Sequence, residues 1–176
     1  MRFTSSFPSH QDAYRVGALT LLVAVGVILT ALAFEYVGGH EPCDLCLKER
    51  YAYYAAIPLL FLGLTALTAR QAMWAATAFF LVGLAFLANA LLGSYHAGAE
   101  WGFWPGPSTC SGGLRPLDSP ADLLKGLKTA RVIRCDQASW RFLGLSFAGW
   151  NVIVSSGLWI TSFFAAREAM RPRTTN

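Results

Sequence analysis

Two of the chain's four cysteines, Cys43 and Cys46, stand two residues apart in the stretch GGHEPCDLCLKERYAYY. A C-x-x-C of this kind serves zinc ligation, haem attachment or dithiol–disulfide exchange. Covalent haem attachment needs a histidine directly after the second cysteine, where this chain has Leu47. Structural zinc takes four ligands. Cys43, Cys46, Cys110 and Cys135 suffice in number, and His40 is a further candidate, but Cys110 and Cys135 have no paired spacing. Exchange chemistry suits the surroundings better. Pro42 precedes the pair and a helix is expected just after it. A helix start stabilises a thiolate through its exposed N–H groups and its dipole, and Lys48 and Arg50 add positive charge. A bond across two residues closes too small a loop to stabilise a fold much, which argues for redox work over stapling.

Other residues extend this set. Cys110 lies in WGFWPGPSTCSGGLRP, whose glycines and prolines predict an exposed loop. A Cys110–Cys135 bond is one reading, an ordinary structural disulfide. A loop carrying Cys110 to a protein partner is the other, and spacing leaves both open. Arg50 is four residues after Cys46, on the same helical face. By position alone it snorkels to the interface; the alternative is that it holds the polar head of a membrane cofactor. His96 and Glu100 are also four apart, as interfacial polar residues or as part of a cofactor pocket. Asn151 is expected to make an interhelix hydrogen bond. Asp44 works against the pair, since a carboxylate there raises thiol pKa values.

The elements that must position these residues are apolar. The 176 residues are 55% hydrophobic and 14% charged, with a mean hydropathy of +0.43, against roughly 25% charge in a soluble domain. The spacing predicts an all-α membrane protein: one integral domain over 1–176, a four-helix transmembrane bundle with spans at about 16–37, 51–69, 72–94 and 142–166. Small residues such as Gly63, Gly83, Ala85, Gly144, Gly149 and Ser155 suit close helix packing. The first run exceeds the roughly 7–15 apolar residues of a secretory leader, so a retained span is expected. Loops 38–50 and 95–141 fall on one side of the membrane, which places all four cysteines together. Short-loop charge counting puts both termini in the cytoplasm and the cysteines in the periplasm, where disulfides persist. Ser119 as a cap, Pro120 and a leucine face predict a short amphipathic interfacial helix in the second loop. Trp101, Trp104 and Trp140 suit an aromatic belt. The 14 basic and 10 acidic side chains are scattered, so no nucleic-acid partner is expected.

The pieces PCDLCLKERYAYY, YHAGAEWGFWPGPSTC and CDQASWRFLGLSFAGWNVIVS, in this order between four spans, resemble the DsbB family of membrane thiol oxidoreductases. The resemblance implies quinone-dependent reoxidation of a periplasmic DsbA-like dithiol oxidase in the bacterial inner membrane. Cys43 and Cys46 would be the quinone-proximal pair, Cys46 contacting the quinone and Arg50 supporting it. Cys110 and Cys135 would be the loop pair, Cys110 attacked by the partner and Cys135 resolving toward Cys43. His96 would lie near the quinone. Ubiquinone is the expected cofactor, with menaquinone the other candidate; no metal and a monomeric state are expected. The competing function is a cysteine-ligated metal-binding membrane protein.

Overall fold

The computed structural model describes residues 10–106, 135, 136, 138 and 140–171. Cys110 and the amphipathic helix expected after Ser119 lie outside the described residues. Among the described residues four helices make the fold: α1 (Gln11–Tyr36), α2 (Asp44–Thr68), α3 (Ala72–Glu100) and α4 (Phe147–Ala169), with a small hairpin of β1 (Arg141–Phe142) and β2 (Leu145–Ser146) leading into α4. All four helices are long and apolar enough to cross a membrane. The expected all-α membrane bundle is therefore present.

The helices form a ring. α1 packs on α2 and α4, and α3 packs on the same two. Phe79 of α3 fills the centre, fully buried. Its ring lies where a Cβ on Gly17 of α1 or Gly63 of α2 would come within 2.9 Å. These two glycines are the slot for the ring. Gly83 faces Phe163 in the same way. Where water is absent, such close approaches supply the association energy that the hydrophobic effect does not.

The helices differ at their ends from the expected spans. α2 begins at Asp44 rather than 51, and α3 runs to Glu100 rather than 94. A hydropathy boundary stops at the first cluster of charges, but these charges have partners inside the protein and stay helical. α4 begins at Phe147, not 142, because Leu143 and Gly144 both take positive φ (51° and 83°). Together they form the two-residue turn of a hairpin, in which Arg141 pairs with Ser146 and Phe142 with Leu145. Gly144 is thus a turn residue and not a packing residue. The Ser146 hydroxyl then caps α4, accepting from Gly149 N at 3.2 Å.

Gly63→Val should force the Phe79 ring aside and destabilise the bundle by about 1–3 kcal/mol. Gly157→Ala, where an added Cβ meets nothing within 4 Å, should be neutral or slightly stabilising in the same detergent unfolding measurement.

Candidate functional site

The site begins at the start of α2. Cys43 is its N-cap residue, extended in backbone (φ −74°, ψ 168°), and its Sγ accepts from Cys46 N at 3.1 Å. A sulfur thus does the work usually left to Ser or Asp. It meets the first-turn N–H groups and the positive end of the helix dipole, both of which favour a thiolate. Cys43 and Cys46 are free thiols here. The Cys46 side chain, hydrogen-bonded to Cys43, is the largest influence on the Cys43 thiol; burial opposes it and the His96 ring reinforces it, leaving Cys43 lowered to about 5. Asp44 does not raise it as the sequence suggested. Its carboxylate turns outward to Lys48 Nζ at 2.8 Å, both side chains well exposed. By the same pairing Lys48 adds no positive charge to the thiols.

Behind the thiols lies a buried polar chain drawn from three helices. Cys43 Sγ is 3.6 Å from His96 Nε2. The other ring nitrogen, Nδ1, is 2.8 Å from Glu49 Oε1. Glu49 Oε2 accepts from Asn151 Nδ2 at 2.9 Å. Asn151 Oδ1 in turn accepts from the Tyr53 hydroxyl at 2.9 Å and from Asn89 at 3.2 Å, and Asn89 also donates to Ser155 at 3.0 Å. His96 is 1% exposed and Glu49 6%, so neither has bulk water to replace a lost partner. Asn151 reaches this position because Gly93 faces it; a Cβ there would lie 3.1 Å from its amide nitrogen.

In front of the thiols is a cavity of about 540 Å³. Its walls are α1 from Val23 to Phe34, the first turns of α2, and α4 from Phe147 to Val154; Trp140, Phe142 and the His40–Cys43 segment close its top. One end is apolar, with Val23, Val27, Ile28 and Val154. The other presents Cys43, Cys46, Glu49, Arg50 and His96. The cavity follows about three turns of α1, or roughly 17 Å. Arg50 lies in its wall, ion-paired with Glu35 of α1. Its second contact, to the Ala31 carbonyl at 3.5 Å, is also on α1. The guanidinium is thereby fixed across the α1–α2 seam instead of reaching toward bulk water.

Most of the residues singled out from sequence meet here. Cys43, Cys46, Arg50 and His96 line one cavity. Cys135 is disulfide-bonded, 1% exposed, and packs in one cluster with Cys43, Cys46, Leu45 and Leu92. Glu100 lies beside His96, its Oε1 3.8 Å from Nε2. Asn151 makes the expected bonds between helices. Trp101 and Trp104 are exposed as a belt requires, but Trp140 stacks on Phe147 with ring centroids 4.8 Å apart and forms the cavity roof. Sequence reasoning missed Glu49 and Glu35. The signal available for Glu49 was a carboxylate one helical turn after Cys46, beside Arg50. Cys43, Cys46 and His96 also bring donor atoms within 4.8 Å of one another.

With its pKa at about 5, the reduced Cys43 thiol should stay ionised, and so reactive, from pH 8 down to about pH 6. Its iodoacetamide alkylation rate, read by peptide mass spectrometry, should be nearly flat over that range. An ordinary thiol, with a pKa of about 8.5, loses roughly a factor of ten per pH unit there.

The sequence has clear kin. Residues 14–165 match the DsbB family, Disulfide bond formation protein DsbB, a stretch that runs from the first turn of α1 to the last turns of α4. Disulfide bond formation protein B of Methylococcus capsulatus is 30% identical over 163 residues, 87% of this chain and 92% of that protein. The protein of the same name from Marinobacter nauticus is 27% identical over 161 residues, covering 88% and 92%. An uncharacterized protein of Rickettsia prowazekii is 28% identical over 148 residues, covering 82% and 83%. With its four membrane-capable helices and its thiol pair at a helix start, the chain belongs to the DsbB family, as a multi-pass membrane oxidoreductase of disulfide bond formation.

Proposed function

We propose that the chain reoxidises a periplasmic DsbA-like dithiol oxidase and passes the two electrons to a membrane quinone. The observation that carries this reading is the cavity: about 540 Å³, apolar along α1, with a cysteine thiol and a guanidinium at its polar end. Volume and lining both suit a ring with a polar edge and a lipid tail. Cys46 and Arg50 would hold the ring, with His96 behind them. The bound quinone supplies the oxidising power, taking up two electrons and two protons.

The protein's own part is a relay of thiols. The partner's dithiol gives up two electrons and two protons and becomes a disulfide. Cys110 takes the partner's attack, Cys135 resolves toward Cys43, and Cys43 and Cys46 close again to a disulfide at the cavity. The burial of Cys135 against Cys43 and Cys46 supports that order, since exchange requires sulfurs in direct reach. Arg50 offers positive charge where negative charge develops on the oxidant. In this reading the chain acts as one membrane domain and as a monomer, with both termini cytoplasmic and the cysteines periplasmic. Ubiquinone is the proposed cofactor.

A second reading rests on the convergence of Cys43, Cys46 and His96 donor atoms within 4.8 Å, close enough for one soft cation. Metal analysis with intact-mass measurement after alkylation separates the two. Two disulfides and no metal leave the relay; one metal per chain with shielded thiols replaces it.

Purified protein given a reduced DsbA-like partner should reduce ubiquinone, followed by the loss of quinone absorbance, and faster than it reduces menaquinone. Cys46→Ser should abolish that reaction, and a retained rate would refute the relay. Arg50→Ala should raise the apparent KM for quinone roughly tenfold or more, the scale of one charge-assisted contact, with kcat less affected.

A further inference from the structure

Glu49 has no task in the relay just described, yet few groups in the protein are held more tightly. It sits one turn after Cys46, buried within α2. Both of its oxygens are engaged, and by different helices: Oε1 with His96 Nδ1 at 2.8 Å on α3, Oε2 with Asn151 Nδ2 at 2.9 Å on α4. A buried carboxylate is expensive unless it is bonded in this way.

The hydrogen bonds have a direction. An ionised carboxylate only accepts, so the proton in the first contact belongs to His96 Nδ1. That leaves Nε2 as the basic nitrogen of a neutral ring. Nε2 faces Cys43 Sγ at 3.6 Å. Asn151 secures the other side, because its oxygen is occupied by Tyr53 and Asn89 and its amide group must point at Glu49. With Glu49 ionised, Asn151 and His96 Nδ1 both donate to its carboxylate, and Nε2 is left to accept from Cys43.

We infer that Glu49 is a positioning residue, which orients His96 so that Nε2 takes the proton of the Cys43 thiol. The inference rests on the oxidoreductase reading of the same site. In the step itself the S–H bond of Cys43 breaks and an N–H bond forms at Nε2. The products are a thiolate and an imidazolium, and the imidazolium lies between that thiolate and the Glu49 carboxylate. Other groups face the ring. The Cys46 sulfur is within 4.8 Å, and Glu100 Oε1, 3.8 Å from Nε2, adds a second carboxylate. Arg141 of β1 acts on Glu100 from outside.

Glutamine is the discriminating replacement because it keeps shape and changes direction. In Glu49→Gln the new side-chain oxygen must accept from Asn151, which turns the new amide N–H groups onto His96 Nδ1. The ring then carries its proton on Nε2 and has nothing with which to accept from Cys43. In reduced protein without quinone, Glu49→Gln should slow alkylation of Cys43 at pH 5, where the wild-type thiol is only about half ionised, by about tenfold, the scale of losing a carboxylate that orients a histidine. Alkylation of Cys43 at the wild-type rate, in a variant with unchanged melting temperature, would overturn the inference. A second measurement needs no variant: the ¹⁵N spectrum of His96 in the resting wild-type protein should show a proton on Nδ1. A neutral ring protonated at Nε2 alone would overturn the inference as well, and that spectrum decides if Glu49→Gln fails to fold. Failure of the wild-type protein to reduce quinone would refute the proposed function and leave both of these readouts standing.

Discussion

A hydrogen-bonding group inside hydrocarbon has no water to turn to, so it must find its partner within the protein. Glu49 is the sharpest instance in this bundle. Its side chain is buried in α2, and its two oxygens require a donor from α3 and a donor from α4. Moving either helix by a fraction of a turn would leave a carboxylate stranded. The helices are thus registered against one another at the level of the thiols, where register matters for chemistry. Apolar packing lower down, around Phe79, sets how closely the helices approach but says less about how they slide.

The thiols occupy a boundary set by these contacts. Cys43 ends the loop from α1 and caps α2 with its sulfur. The backbone therefore holds it in place whatever its redox partner. On one side it meets the buried polar chain. On the other it opens, with Cys46, into a cavity whose far end is lipid-like. Arg50 is fastened to α1 by Glu35, so α1 contributes both the apolar wall and the anchor of the nearby positive charge. The cavity thus joins an apolar compartment to the polar end where Cys43, Cys46, Glu49 and His96 meet.

Much of this was legible in the chain because the signals are local. Four apolar runs announce four helices. The spacing of Cys43 and Cys46, and Arg50 one turn on, can be read within eight residues. What was not legible depended on distance in sequence. Glu49 looks like one more charge at a span end until His96 and Asn151, 47 and 102 residues away, are brought beside it. The same blindness shortened α2 and α3, since an apolarity criterion cannot know that Glu49, His96 and Glu100 are accommodated inside. Asp44 illustrates the opposite fault. Its effect on the thiols was judged from adjacency, whereas the helix turns adjacent side chains apart and offers Asp44 the neighbour four residues on, Lys48. Cys110 and its loop stay where the sequence reading left them.

The link between α2 and α3 has a consequence for how such a protein is made. Only Ala69, Arg70 and Gln71 separate the two helices, and Arg70 adopts a left-handed φ of 59° to close the turn. Gln71 N bonds back to Ala66 O at 2.8 Å, so the turn is an extension of α2 itself. A connection this short cannot let the helices enter the bilayer separately; they go in as a hairpin. Cys43, just before α2, and His96, near the end of α3, both lie at the open end of that hairpin and come together when its two arms pair. Asn151, which comes after both in the chain, then completes the set of hydrogen bonds around that pair.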